Sequence, residues 1–148
     1  MIPKQVLKKL ITMRLADSKV LLENRRYSAA IYLGGYALEL ALKFRICQIM
    51  RFNRGFPETK SEFNTYYSDT RRTRLRSTIK ELRDIRHHQL SMLLRYSGEQ
   101  FTIETSHSAA WEVVKYWDPE MRYTNPMIRK QKAADFLRNC RSIIHAIM

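Results

Sequence analysis

Two stretches of this sequence combine residue types that could do acid–base work. Arg138 and His145 are seven residues apart. Seven residues is nearly two turns of an α-helix, so their side chains share a face, with Arg141 on the same flank. His87 and His88 are adjacent, which on a helix turns them in different directions. They are poor joint metal ligands, and no third ligand stands at a convincing spacing. An imidazole near neutral pH can take up or give up a proton, and a guanidinium can stabilise charge on a phosphate. Glu39 and Lys43 are four apart and can pair along one helical face. Cys47 and Cys140 both sit inside apolar helical patterns, as expected of reduced, buried thiols in a cytosolic protein. The sequence has no Gly-rich phosphate loop, Ser-His-Asp set, Cys/His zinc spacing, internal repeat or low-complexity tract, so no metal or cofactor is expected.

Composition limits what could position these residues. A chain of 148 residues, 45% of them hydrophobic, is expected to be one domain, residues 1–148, with a real core. Four Gly and four Pro argue against a loop-rich or all-β fold. The net charge of +13 exceeds the magnitude of roughly 2–8 with which a small domain usually manages. It points to an anionic partner: nucleic acid, an acidic protein or, less readily, a membrane surface. Charge kept simply for solubility would look the same. Lys4, Lys8 and Lys9 interrupt any signal-peptide core, so a cytoplasmic location is expected.

The most informative stretch is Tyr27–Cys47. Ala30, Leu33, Ala37, Leu40 and Phe44 form one apolar stripe, widened by Ala29, Tyr36 and Leu42, as in a buried central helix. Gly34-Gly35 costs about 1 kcal/mol per Gly against Ala in a helix interior, which suggests a close backbone approach by another helix. The run is too short and too charged to span a bilayer, which needs about 20 apolar residues.

Residues 4–23 read as an amphipathic helix with Val6, Leu10, Met13, Val20 and Leu21 inward. Lys4, Lys8, Arg14 and Lys19 lie largely outside. The short link Asn24-Arg25-Arg26 favours an antiparallel pair. Residues 51–68 read as an irregular connection around Gly55 and Pro57. Its aromatics, Phe52, Phe56, Phe63, Tyr66 and Tyr67, call for burial, with base stacking as the other use.

A basic helix is expected over 69–86, started by Asp69 or Thr70. Arg71, Arg72, Arg74, Arg76, Lys80, Arg83 and Arg86 face three acids, a local excess of +4. Leu75, Ile79 and Leu82 give it a seam. Such a helix suits phosphate contact, and a merely solvated face is the alternative. Leu90, Leu93 and Leu94 then mark a helix stopped by Gly98. Residues 106–117 mark another, ended by Asp118-Pro119. A final helix over about 127–147 carries Ala133, Leu137, Cys140, Ile144 and Ile147.

The order of these features resembles the HEPN superfamily (higher eukaryotes and prokaryotes nucleotide-binding domain), in its nucleotidyltransferase-associated branch. The resemblance is carried by Asn24-Arg-Arg-Tyr-Ser-Ala-Ala-Ile-Tyr-Leu-Gly-Gly-Tyr-Ala-Leu-Glu-Leu-Ala-Leu-Lys43, by His88-Gln-Leu-Ser-Met-Leu-Leu94 and by Arg122-Tyr123 before the last helix. It implies an all-α, up-and-down bundle of four to five helices and a homodimer. It also implies a toxin–antitoxin or phage-defence setting, with a minimal nucleotidyltransferase as a common partner.

Many members of the superfamily are metal-independent endoribonucleases marked by an Arg, a polar neighbour and then a His, with four to six residues between the Arg and the His. Arg138, Asn139 and His145 match on the last helix. Arg83, Asp84 and His88 match earlier, where His88 also fits the branch's non-catalytic His-x-Leu-x-x-Leu-Leu pattern. In such a site the His moves the proton of a ribose 2′-hydroxyl or of the leaving oxygen, and the Arg steadies the phosphate. A chance pair on a basic helix, with cations suited to the dipole of its last turn, would look the same. A non-catalytic subunit that binds the nucleotidyltransferase or nucleic acid is the other function implied. For Arg122 and Tyr123 a structural role is expected, the Arg tied to the bundle and the ring packed under a loop.

Overall fold

The computed structural model describes residues 1–67, 79–124 and 126–148. Among them the chain forms an all-α bundle without strands: α1 Lys4–Glu23, α2 Tyr27–Ile49, α3 Lys60–Tyr67, α4 Leu90–Tyr96, α5 Gln100–Ser106, α6 Ser108–Val114 and α7 Lys130–Ile147. Short 3₁₀ turns stand at Leu82–Asp84 and Pro119–Tyr123. No described helix is long and apolar enough to cross a membrane.

Helix α2 is the axis. It packs against α1, α4, α7 and the Pro119–Tyr123 turn, so its residues are buried around most of its circumference. Gly34 and Gly35 are where neighbours come closest, and side chains rather than a helix backbone fill the space. A methyl on Gly34 would run into Leu137 of α7, and one on Gly35 would overlap the Trp117 indole.

Helices α1 and α2 end alike. Arg25 (φ 60°) and Arg51 (φ 54°) take the left-handed conformation just past each helix. The next amide reaches back into the last turn, Arg26 N–H to Leu21 O at 2.8 Å and Phe52 N–H to Cys47 O at 2.9 Å. Each end is thus closed by a Schellman motif with Arg where Gly is usual.

Several elements differ from expectation. On α1 the buried residues are Leu7, Ile11 and Ser18, whereas Val6, Met13 and Val20 are exposed. The inward face is rotated by about one residue, a 100° step on a helix. Polar members hid it: Ser18 satisfies itself by donating to Leu15 O at 2.8 Å, and half-buried Arg14 pairs with Asp17 at 3.1 Å.

The connection after α2 contains helix α3, and Phe52, Phe56, Phe63 and Tyr66 are buried in the core, with Phe52 stacked on Tyr66 at 4.5 Å between centroids. Of the basic helix expected over 69–86, Arg71, Arg72, Arg74 and Arg76 lie outside the described residues. The described part, residues 79–86, is not α-helical. Glu81 and Asp84 close it into a capped 3₁₀ turn, in which the Asp84 carboxylate accepts from the Lys80 and Glu81 amides at 2.9 Å each.

The helix expected over 106–117 is α6, with α5 before it. The two are separated at His107 (φ −131°). Thr105 Oγ1 donates to Phe101 O at 2.7 Å just before the break, a back-bond that bends helices. Helix α4 stops at Gly98 as expected, in the left-handed region (φ 76°).

Candidate functional site

The site is built on a polar group at the centre of the apolar helix. Glu39 of α2 has no exposed surface, and one turn on Lys43 is 9% exposed. A buried carboxylate has to be matched, and here both oxygens are. Lys43 Nζ donates to Oε1 at 2.6 Å, and His88 Nδ1 meets Oε2 at 2.8 Å. Because a carboxylate only accepts, Nδ1 carries the hydrogen of this bond. Lys43 also lies over the Phe56 ring, 5.3 Å from its centroid. The pairing of Glu39 with Lys43 is the expected i, i+4 contact. The reach of His88 to Glu39 joins residues 49 apart in sequence.

His88 itself is open. Its side chain is 55% exposed although its partner is fully buried. His88 borders two concavities. One, of about 420 Å³, is lined by Tyr36, Glu39, Lys43, Phe56, Glu58 and Arg86. The other, of about 540 Å³, runs from His88 and Ser91 to Lys115, Tyr116, Trp117 and Glu120. In the first, burial and then the neighbouring Glu39 carboxylate push the Tyr36 phenol pKa up. With Nδ1 committed to Glu39, Nε2 is the free nitrogen of His88, so the ring is oriented by a buried acid on one side and available for proton transfer on the other.

His87 is arranged differently. The Gln89 amide donates to its Nδ1 at 3.2 Å, so Nε2 carries the hydrogen and donates to Asp84 O at 2.7 Å. Both ring nitrogens are used locally. The adjacent histidines do diverge, and only His88 joins the buried acid.

The runner-up set does not converge. Asp84 caps the 3₁₀ turn, Arg83 pairs with Glu81 at 2.9 Å on an exposed surface, and His88 belongs to Glu39. The set on α7 lies on an open face. Arg138 pairs with Asp135 at 2.5 Å, and Asn139 Nδ2 donates to Asp135 O at 2.8 Å. His145 is exposed, with no hydrogen-bond or ion-pair partner among the described residues. Of the basic residues expected to meet phosphate, Lys80, Arg83 and Arg86 are described and exposed, and Arg86 borders the 420 Å³ concavity.

The remaining candidates are structural. Arg122 is tied to the bundle: the phenols of Tyr32 and then Tyr123 accept from its guanidinium and raise its pKa. Tyr123, however, is 73% exposed rather than packed under a loop, and Arg122 lies over its ring at 4.7 Å. Cys47 and Cys140 are free and buried. Burial pushes the Cys47 thiol up to about 12 and raises that of Cys140 as well, so neither is a ready nucleophile.

Sequence reasoning did not connect Glu39 with His88, or see that Tyr116 borders the same cleft. The available signal for the first was a Glu on a helix apolar all round, since a buried acid demands a partner. Compared with models of protein families, with curated proteins and with solved structures, the chain matches none.

Proposed function

We propose that this chain is an RNA-directed, HEPN-like endoribonuclease that needs no metal, acting as a homodimer in a toxin–antitoxin or phage-defence setting. The observation that carries this reading is His88: its Nδ1 is held by the buried Glu39 at 2.8 Å, while its side chain is 55% exposed and the residue borders the cleft. The net charge of +13 supplies the attraction for RNA.

In the reaction, His88 Nε2 takes the proton of a ribose 2′-hydroxyl. The 2′-oxygen bonds to the adjacent phosphorus, the bond from phosphorus to the 5′-oxygen breaks, and the departing oxygen takes up a proton from the protonated ring. The products are a 2′,3′-cyclic phosphate and a 5′-hydroxyl. Arg86, on the rim beside His88, is the cation suited to the phosphate.

A second reading makes the chain a non-catalytic subunit that binds a minimal nucleotidyltransferase. It is favoured by Val6, Met13 and Val20, which stand exposed at seven-residue intervals on α1 and offer an apolar stripe to another helix. The homodimer would use the same stripe.

The test is cleavage of RNA by the purified chain in EDTA, beside His88→Ala and His145→Ala. We expect cyclic-phosphate ends from the wild type and a loss of about 100-fold or more in rate with His88→Ala, the range for removing an acid–base group. Loss with His145→Ala alone would move the site to Arg138, Asn139 and His145. A folded wild type that cleaves nothing in EDTA would end the enzymatic reading in favour of the binding subunit.

A further inference from the structure

We infer that the 540 Å³ cleft beside His88 receives an unpaired nucleobase stacked on Tyr116, so that the substrate is single-stranded RNA rather than duplex. The inference rests on the RNA-directed reading above and deepens it.

Tyr116 is 80% exposed, the state in which a large ring has the most to gain from a partner. It follows α6 and borders the cleft that His88 also borders. The ring is braced. Lys115 Nζ lies 4.8 Å from its centroid, and the same ammonium is tied to Glu112 at 2.7 Å. A ring steadied by its neighbour and open to solvent is a stacking platform. The cation beside it adds attraction for the polarisable face of a base.

The charges sort the two concavities flanking His88. The Tyr116 cleft carries the acids Asp118 and Glu120, which repel phosphate but can accept from the amino groups of a base. Asp118 Oδ1 is occupied by the Glu120 amide at 2.9 Å, and Glu120 is 3.9 Å from Arg122. The hollow on the other side of His88 carries two acids that are already matched, Glu39 by Lys43 and Glu58 by the N-terminal ammonium at 3.4 Å, and it carries Arg86, which makes no ion pair among the described residues. Base on the Tyr116 side and phosphate on the Arg86 side puts the sugar, with its 2′-hydroxyl, at His88 between them. Only a base out of its helix can reach an aromatic face, since paired bases are stacked on one another.

The probe is a fluorescent 2′-O-methyl RNA oligonucleotide, which cannot be cleaved through a 2′-hydroxyl, as a single strand and annealed to its complement. Binding to the full chain is read by anisotropy. We expect the single strand to bind at least about tenfold more tightly than the duplex. Tyr116→Ala is expected to weaken single-strand binding about tenfold, the effect of losing one stacked base, while Tyr116→Phe keeps wild-type affinity. Since Tyr116 is exposed, unchanged melting curves should accompany both variants. Equal affinity for strand and duplex, or wild-type affinity in Tyr116→Ala, would overturn the inference. Because the probe is not cleaved, the two readings fail separately: Tyr116-dependent binding by a chain without nuclease activity would remove the enzyme and leave the subsite.

Discussion

A carboxylate with no exposed surface, such as that of Glu39, costs several kcal/mol to desolvate unless its oxygens are matched. Lys43 supplies the countercharge within one turn of the same helix, and His88 supplies the second donor. Lys43→Met keeps the length of the side chain and its packing against Phe56 but removes the ammonium. Urea unfolding of this variant should show a loss of about 3 kcal/mol, the cost of breaking a buried pair by deleting one partner. The double change Glu39→Leu with Lys43→Met should regain most of that loss, because an apolar pair of similar volume needs no matching. It would also free the His88 ring and abolish cleavage. A Lys43→Met chain as stable as the wild type would mean that Glu39 is not held as a charged partner, and the orientation of His88 would need another cause. The proposed site is thus coupled to the core: the same contact that keeps an acid inside the bundle orients the exposed histidine.

At the scale of elements, α2 fits its neighbours through its two glycines. Gly35→Ala would put a methyl where the Trp117 indole lies, and Trp117 is itself buried at 7% exposure. The ring has little room to retreat, since it also packs beside Tyr32 at 6.3 Å. Thermal melting should show Gly35→Ala destabilised by about 1–3 kcal/mol, the usual range for overpacking, despite the higher helix propensity of Ala. A rise in melting temperature would show that the indole can move away.

The same elements show what was legible in the sequence. Helices α2 and α7 carry long uninterrupted apolar stripes, and their extents follow closely from periodicity. Helix α1 was legible in extent but not in face, because its inward row includes Arg14 and Ser18. Helix α3 spans only eight residues next to Gly55 and Pro57, and α5 buries Ile103 alone, so neither has a stripe to read. The turn at Leu82–Asp84 depends on reciprocal capping by Glu81 and Asp84, which local basic composition conceals. In the site, the Glu39–Lys43 pair could be read from its spacing. The Glu39–His88 bond could not, since only the packing of α4 against α2 brings those residues together.

For the molecule as a whole, the decisive quantity is how its charge of +13 responds to salt. If that charge serves RNA, binding releases counterions from each phosphate neutralised, and log Kd rises with log salt by about 0.7 per phosphate on a single strand. A strand held at about five phosphates would weaken roughly 100-fold between 50 and 200 mM salt. A surface kept basic only for solubility would show no specific binding to lose. The proposed His88 site has Arg86 on its rim, and one cation cannot account for five contacts. Arg71, Arg72, Arg74 and Arg76 are the largest remaining group of cations close in sequence. Replacing these four by Gln should weaken binding across all RNA sequences and lower the salt slope by up to about 3, without changing the loss caused by Tyr116→Ala. A slope that stays at its wild-type value would assign the phosphate path to other cations. Binding that ignores salt altogether would remove the electrostatic basis of the RNA-directed reading, because neither the stacking proposed on Tyr116 nor the proton transfer proposed at His88 would by itself bring a polyanion to this surface.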